Sequence, residues 1–377
     1  MDILYLANIR LPTEKAHGIQ IMKTCEAFAQ AGANVELVVP TRRTPITEDP
    51  FAYYDVARAF MLTRLREPDL VRFGSIGFLS SLLMFSEHAR WLRRFWSADI
   101  IYSRDAFVLL QYLLLGRRLV FEVHAEPTLV SRFAARHAYR VVVISRALAA
   151  AYEAVGVPRA KIIVAPDAVD ARLFDDVLPR AQARVALGLA PDAKIVVYTG
   201  HFYARKGADT LAQAAARVPE AQFIFVGGTV ADVAKFRMQW GSQANITIAG
   251  HVPQARALRY MRAADALVLP NSGRDNDSAR FTSPMKLFEY MASGTPIIAS
   301  DVPAIREVLE EQDATFFAPD DPAALAASIA SVFVHERDAR EKAKNAQQKA
   351  EGYTWDKRAK AILDPIKADL HTHDKRY

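Results

Sequence analysis

Two segments carry side chains suited to holding a diphosphate. The first is Gly200-His201-Phe202-Tyr203-Ala204-Arg205-Lys206-Gly207, directly after an apolar, β-rich run. Arg205 offers a planar fork of donors and Lys206 a compact charge, a combination matched to adjoining phosphoryl groups. An ordinary basic turn is the alternative reading. The second segment is Thr282-Ser283-Pro284-Met285-Lys286-Leu287-Phe288-Glu289, ahead of Gly294 and a further apolar run. Thr282 or Ser283 fits a helix cap, Pro284 a first helical turn and Gly294 a helix stop. The free N–H groups of such a start, beside Lys286, receive phosphate oxygens. Glu289, further along, suits a ribose diol, or is one glutamate on a core helix. Two weaker features join these. His124 ends the run Phe121-Glu122-Val123-His124, where an ionisable side chain serves acid–base or polar substrate work. Glu122 is either its partner or solvated. Gly18, in Lys15-Ala16-His17-Gly18-Ile19-Gln20, allows close backbone approach at a helix start. No G-x-G-x-x-G is present there, so a dinucleotide fingerprint is absent.

Regular elements must position these residues. β-rich runs recur at Ile3–Ala7, Val35–Val39, Ile100–Tyr102, Leu119–Val123, Val141–Ile144 and Ile162–Ala165. A second series is Ile195–Thr199, Phe223–Val226, Ile246–Ala249, Ala266–Leu269, Pro296–Ala299 and Thr315–Phe317. Continuous apolar strands alternating with helical patterns indicate parallel sheets covered on both faces. Two series predict two doubly wound α/β domains, and twelve strands are too many for a (β/α)₈ barrel. The join is placed after Asp167: residues 1–167 form one domain, completed by a C-terminal helix from about 355, and residues 168–354 the other. Asp175–Ala193 and His335–Ala350 read as polar helices. Asp356–Leu363 reads as a last helix, with a frayed tail beyond Asp364 in which His371 and His373 are solvated.

The chain has 377 residues, half of them apolar and a quarter charged, enough for a large core. No apolar run approaches the ~20 residues of a membrane span. A single cysteine, Cys25, excludes an internal disulfide and a thiolate cluster. With no secretory leader visible, a cytoplasmic setting is expected. Net charge is +6 and the pI about 9.3. The excess is concentrated in residues 57–96, where seven arginines meet three acids among many large apolar residues. Core helices with a solvated basic face are the favoured reading of that segment. Peripheral contact with an anionic membrane is the other. Specific nucleic-acid binding is not expected, since no recognition motif is present.

At these motifs the sequence resembles the retaining, family-four (group 1) type of nucleotide-sugar glycosyltransferase. The segments that carry the resemblance are Lys15–Gln20, Gly200–Gly207 and Gly250–Asp301. The resemblance implies the GT-B architecture, two Rossmann-like domains facing across a cleft, with the donor in the C-terminal one and the acceptor in the N-terminal one. It implies transfer of a sugar from a UDP- or GDP-sugar to a sugar or lipid-linked acceptor, as in cell-envelope polysaccharide or glycolipid synthesis. No metal or cofactor is implied, and attack comes from the face the leaving group departs. Residue by residue, His124 resembles the histidine near the donor sugar, and Arg205 and Lys206 the diphosphate-binding pair. Glu289 resembles the ribose-binding glutamate, and Gly18 the glycine that approaches the phosphates. Gly200, Thr282, Ser283, Lys286 and Leu287 fall in the implied donor-binding set, Leu287 where backbone amides meet phosphate. Val252 falls in the turn whose backbone meets the base. Phe281 stands where the family commonly has the first of two glutamates; Asp275 and Asp277 are the nearest acids. An epimerase of the same architecture, or a noncatalytic nucleotide-sugar-binding protein, is the alternative.

Overall fold

The computed structural model describes residues 1–170 and 172–374. The chain divides into two compact units. One is Met1–Asp167 with the segment from Trp355, and the other is Ala168–Thr354. The first unit holds β1 (Asp2–Leu6), β2 (Asn34–Pro40), β3 (Met61–Leu65), β4 (Ile100–Ser103), β5 (Leu119–Val123), β6 (Arg140–Val143) and β7 (Ile162–Val164). They form one parallel sheet in the order β3-β2-β1-β4-β5-β6-β7. The second unit holds β8 (Lys194–Thr199), β9 (Ala221–Val226), β10 (Ile246–Gly250), β11 (Ala266–Leu269), β12 (Ile297–Ser300) and β13 (Thr315–Phe317). Their order is β10-β9-β8-β11-β12-β13, again parallel. Both sheets are open, as doubly wound folds require. The strands are apolar on both faces because helices cover both faces: Ile3, Leu4, Tyr5 and Leu6 are fully buried, as are Ile195, Val196, Val197 and Tyr198.

Three expectations are corrected. Met61–Leu65, within the segment read as helical, is an edge strand paired to β2 from Glu36↔Met61 to Pro40↔Leu65. Its residues are exposed or half-buried and none is fully buried, which reflects that edge position. The last helix does not fray at 364; it runs Trp355–Asp374 through Pro365. Ile362, Leu363 and Ile366 are fully buried, Lys367 Nζ donates to Ala31 O at 3.1 Å, and Asp369 accepts from Tyr139 and Arg140. Tertiary burial thus outweighs the local break at Pro365. His371 is exposed, and the side chain of His373 lies outside the described residues. Third, neither Thr282 nor Ser283 caps the helix at Met285–Ser293: Pro284 is the cap residue, with no side-chain hydrogen bond.

The turn after β8 is built around Gly207, whose φ of +72° lies in the left-handed region. A side-chain carbon there would overlap the Pro270 carbonyl oxygen at the end of β11. The same turn is tied by Arg205 O, which accepts from Ser272 N at 3.1 Å and Ser278 Oγ at 2.8 Å. Gly207→Ala is therefore expected to cost about 1–3 kcal/mol in backbone strain alone, more with the overlap. Urea unfolding of the variant against the parent checks this.

Candidate functional site

In the second unit, the carboxyl ends of β8 and β11 and the start of the helix Met285–Ser293 meet at one place. Gly200 closes β8 at φ +125°, and a side-chain carbon on it would lie 3.9 Å from Lys286 Cδ. Lys286 Nζ sits 4.1 Å above the Tyr198 ring, a cation–π contact. The amino group is out of reach of solvent and has no hydrogen-bond partner. Burial and the neighbouring Lys206 push it well below the usual lysine value, against the pull of Glu289. Glu289 is one helical turn on, and burial pushes its carboxyl up to about 7, with Lys286 opposing. Lys206 is half-buried and Arg205 exposed. No side chain caps the start of this helix, where the first N–H groups lack the i−4 carbonyl partners of later turns. Thr282 is half-buried and Ser283 buried ahead of it; Leu287 N bonds Pro284 O at 2.8 Å and the Leu287 side chain is in the core. Val252 lies in the turn after β10, packed against the same core.

The position of the expected first acid is filled by apolar packing. Phe281 is buried and ends a π-helical turn, Asp277–Phe281. Asp275 is committed to that turn, accepting from Ser278 N at 2.7 Å. Asp277 Oδ1 is buried with no hydrogen-bond partner. Short π segments are frequent at functional sites.

In the first unit a cavity of about 430 Å³ opens beyond the carboxyl ends of β1, β4 and β5. His124, His17, Asn8, Arg104 and Glu126 contribute to its lining. Burial, with Arg104 and Lys15 nearby, lowers His17 to about 4, so it is neutral at pH 7. Glu122 is fully buried, not solvated, and lies 2.7 Å from His124 Nε2. Gly18 belongs to this unit, in the first turn of the helix Ala16–Gln30. The place of its missing side chain is taken by Tyr54 and Thr13. Tyr54 Oη donates to Thr13 O and accepts from Thr13 N, each at 2.7 Å. Gly18 is thus required by packing.

Sequence reasoning missed Tyr198 as the platform for Lys286, and Gln20, Arg104 and Arg358 around His124. Tyr198 carried one local signal, its place two residues before Gly200. Arg358 carried none.

Comparison with known proteins bears on the whole chain. Residues 193–334 match the family described as Glycosyl transferases group 1, and residues 18–173 match Glycosyltransferase Family 4. A D-inositol 3-phosphate glycosyltransferase from Xylanimonas cellulosilytica is 27% identical over 217 residues, 54% of this chain and 50% of that protein. A phosphatidyl-myo-inositol mannosyltransferase from Mycobacterium tuberculosis is 33% identical over 168 residues, 43% of this chain and 42% of that protein. The matched region thus spans about half the length of these relatives or less. Among solved structures, a sucrose-phosphate synthase from Thermosynechococcus elongatus has a TM-score of 0.80 at 20% identity. It covers 98% of this chain and 99% of its own. HepE of Anabaena, solved with UDP and glucose, has a TM-score of 0.73 at 17% identity, covering 97% and 99%. The architecture these neighbours share is the two-domain GT-B fold.

Glu289 gives a pH test. A carboxyl raised in the folded state keeps a proton that the unfolded chain has lost. Its contribution to stability therefore falls as pH rises from the ordinary 4.5 toward about 7. Glu289→Gln is expected to gain in stability relative to the parent across that interval, measured by urea unfolding at stepped pH.

Proposed function

We infer, from the premise that this chain belongs to the group 1 glycosyltransferases, that it transfers a sugar from a nucleoside diphosphate to an acceptor hydroxyl with retained anomeric configuration. The observation that carries this reading is the solvent-inaccessible, unpartnered Lys286 ammonium beside Lys206 at an uncapped helix start. A buried cation without a hydrogen-bond partner is costly, and a diphosphate is the ligand that would relieve it. In the proposed reaction the bond between the anomeric carbon and the diphosphate oxygen breaks as the acceptor oxygen bonds to that carbon. The acceptor proton passes to the departing phosphate. Arg205, Lys206, Lys286 and the helix start meet the charge that develops there. Glu289 holds the ribose, and Asp277 is the acid nearest the role that Phe281 cannot fill. Glu122 does not serve as a nucleophile, since it is fully buried and both its oxygens are engaged; this favours same-face attack over a covalent intermediate. We assign no metal to the reaction, because these side chains supply the positive charge.

The acceptor is proposed to bind beside His124 and, being sugar- or lipid-linked, to be met at the inner face of a membrane. The 57–96 segment supports this. The helix Gly74–Arg90 buries Gly77, Leu82, Phe85 and Ala89. Phe73, just before it, is 62% exposed, and along its outer face Ile76 is 81%, Leu79 50% and Leu83 50% exposed. Trp91 and Trp96 are exposed nearby, as are Arg66, Arg72 and Arg93. The favoured expectation of a solvated basic face is met in these arginines, and beside it lies an apolar outer face, a composition that suits an anionic bilayer surface. No helix among the described residues is long and apolar enough to cross one.

UDP is the first probe, with GDP beside it, because HepE was solved with UDP. Titration calorimetry is expected to show binding. Lys206→Ala should lose about 1.5–3 kcal/mol, roughly tenfold to a hundredfold in affinity. Unchanged affinity in that variant overturns the phosphate assignment. For the membrane face, the chain is expected to sediment with phosphatidylglycerol vesicles and not with phosphatidylcholine. Ile76→Asp combined with Leu79→Asp should abolish this without altering UDP binding.

A further inference from the structure

We propose that Glu122 is a positioning residue that fixes the tautomer of His124, and that Arg358, from the last helix, keeps Glu122 ionised in the core. This rests on His124 lying at the transfer site. Glu122 Oε1 accepts from Gln20 Nε2 at 2.6 Å, faces His124 Nε2 at 2.7 Å and accepts from Arg358 Nη2 at 2.8 Å. Oε2 accepts from Tyr102 Oη. Glu122 is 0% and Arg358 2% exposed at the side chain. Burial alone would raise the Glu122 carboxyl; Arg358, the His124 hydrogen bond and Arg104 reverse this and hold it well below the usual range. An ionised carboxylate only accepts, so the proton on His124 must sit at Nε2.

The supports around the carboxylate are equally directional. Arg104 Nη1 donates to Gln20 Oε1 at 2.7 Å, which turns the Gln20 amide nitrogen toward Glu122. Arg358 Nε donates to Pro166 O at 3.0 Å and Nη1 to Thr24 Oγ1 at 3.3 Å. Burial and the charge of Arg104 lower His124 further than Glu122 raises it, so the ring is neutral. Its Nδ1 then carries a lone pair, and no protein group among the described residues bonds it. His124 in this state accepts a hydrogen bond and cannot donate one at Nδ1. It selects a hydroxyl, of donor sugar or acceptor, over a phosphate oxygen. The C-terminal helix thereby contributes a working part of the site, through a contact that spans 236 residues of sequence.

Two-bond ¹H–¹⁵N correlation spectra of the ¹⁵N-labelled protein test this directly, with the His124 signal assigned by its loss in His124→Gln. A single Nε2-protonated pattern at neutral pH is expected. An Nδ1-protonated or cationic ring overturns the proposal. Glu122→Gln is expected to lose the single tautomer and lower kcat for transfer on the order of a hundredfold, with UDP affinity unchanged. A folded variant with parental tautomer and kcat overturns it. Where the lone variant does not fold, Glu122→Gln with Arg358→Gln removes both charges together and is read in the same spectrum. A locked Nε2–H with no transfer to any acceptor would instead count against the transfer reading and leave the Glu122–His124 assignment standing.

Discussion

Parallel pairing governs this protein. Every strand within each sheet runs the same way as its neighbours, so all carboxyl ends reach one edge and each following helix begins there. Helix starts carry unpaired N–H groups, and the loops leading into them are free of core packing. Chemistry has one place to collect in each unit. In the second unit this edge gathers Gly200, Arg205 and Lys206 from the turn after β8 and Lys286 from the helix that follows β11. In the first it gathers His124, Asn8 and Arg104 around a cavity. The same constraint makes the strands apolar on both faces, so the few polar groups that enter the core stand out.

Those polar groups follow two opposite rules. Around Glu122 the network is closed: a buried carboxylate has a buried guanidinium, an amide, an imidazole and a phenol directed at it, and the arrangement specifies one geometry. At Lys286 it is open. The ammonium rests on the Tyr198 ring and is hydrogen-bonded to nothing. A closed network holds a side chain still; an open one leaves a charge for a ligand to meet. The proposed transfer calls on both behaviours, a fixed imidazole in one unit and an open cation in the other.

Much of the fold was legible because its signals are local. Among the described residues, twelve of the thirteen strands follow from apolar runs bounded by turn residues. The exception, Met61–Leu65, lies at the sheet edge, where one side is open and the apolar run is diluted by Thr63 and Arg64. The basic turn and the helix start were legible for the same reason: glycine and proline mark them within a few residues. The outer face of Gly74–Arg90 was not. Whether Ile76 and Leu79 turn inward depends on which side of the helix meets the sheet, and both sides are apolar.

The amino-acid order alone thus determined the two α/β units, the positions of their turns and the residue types at each strand's end, because periodicity and backbone preference act over a few residues. Tertiary structure decided that Glu122 is buried, that Arg358 neutralises it, and that Lys286 rests on the Tyr198 ring with no hydrogen-bond partner. Charge pairing inside a core depends on which distant segments become neighbours, and no local pattern encodes that.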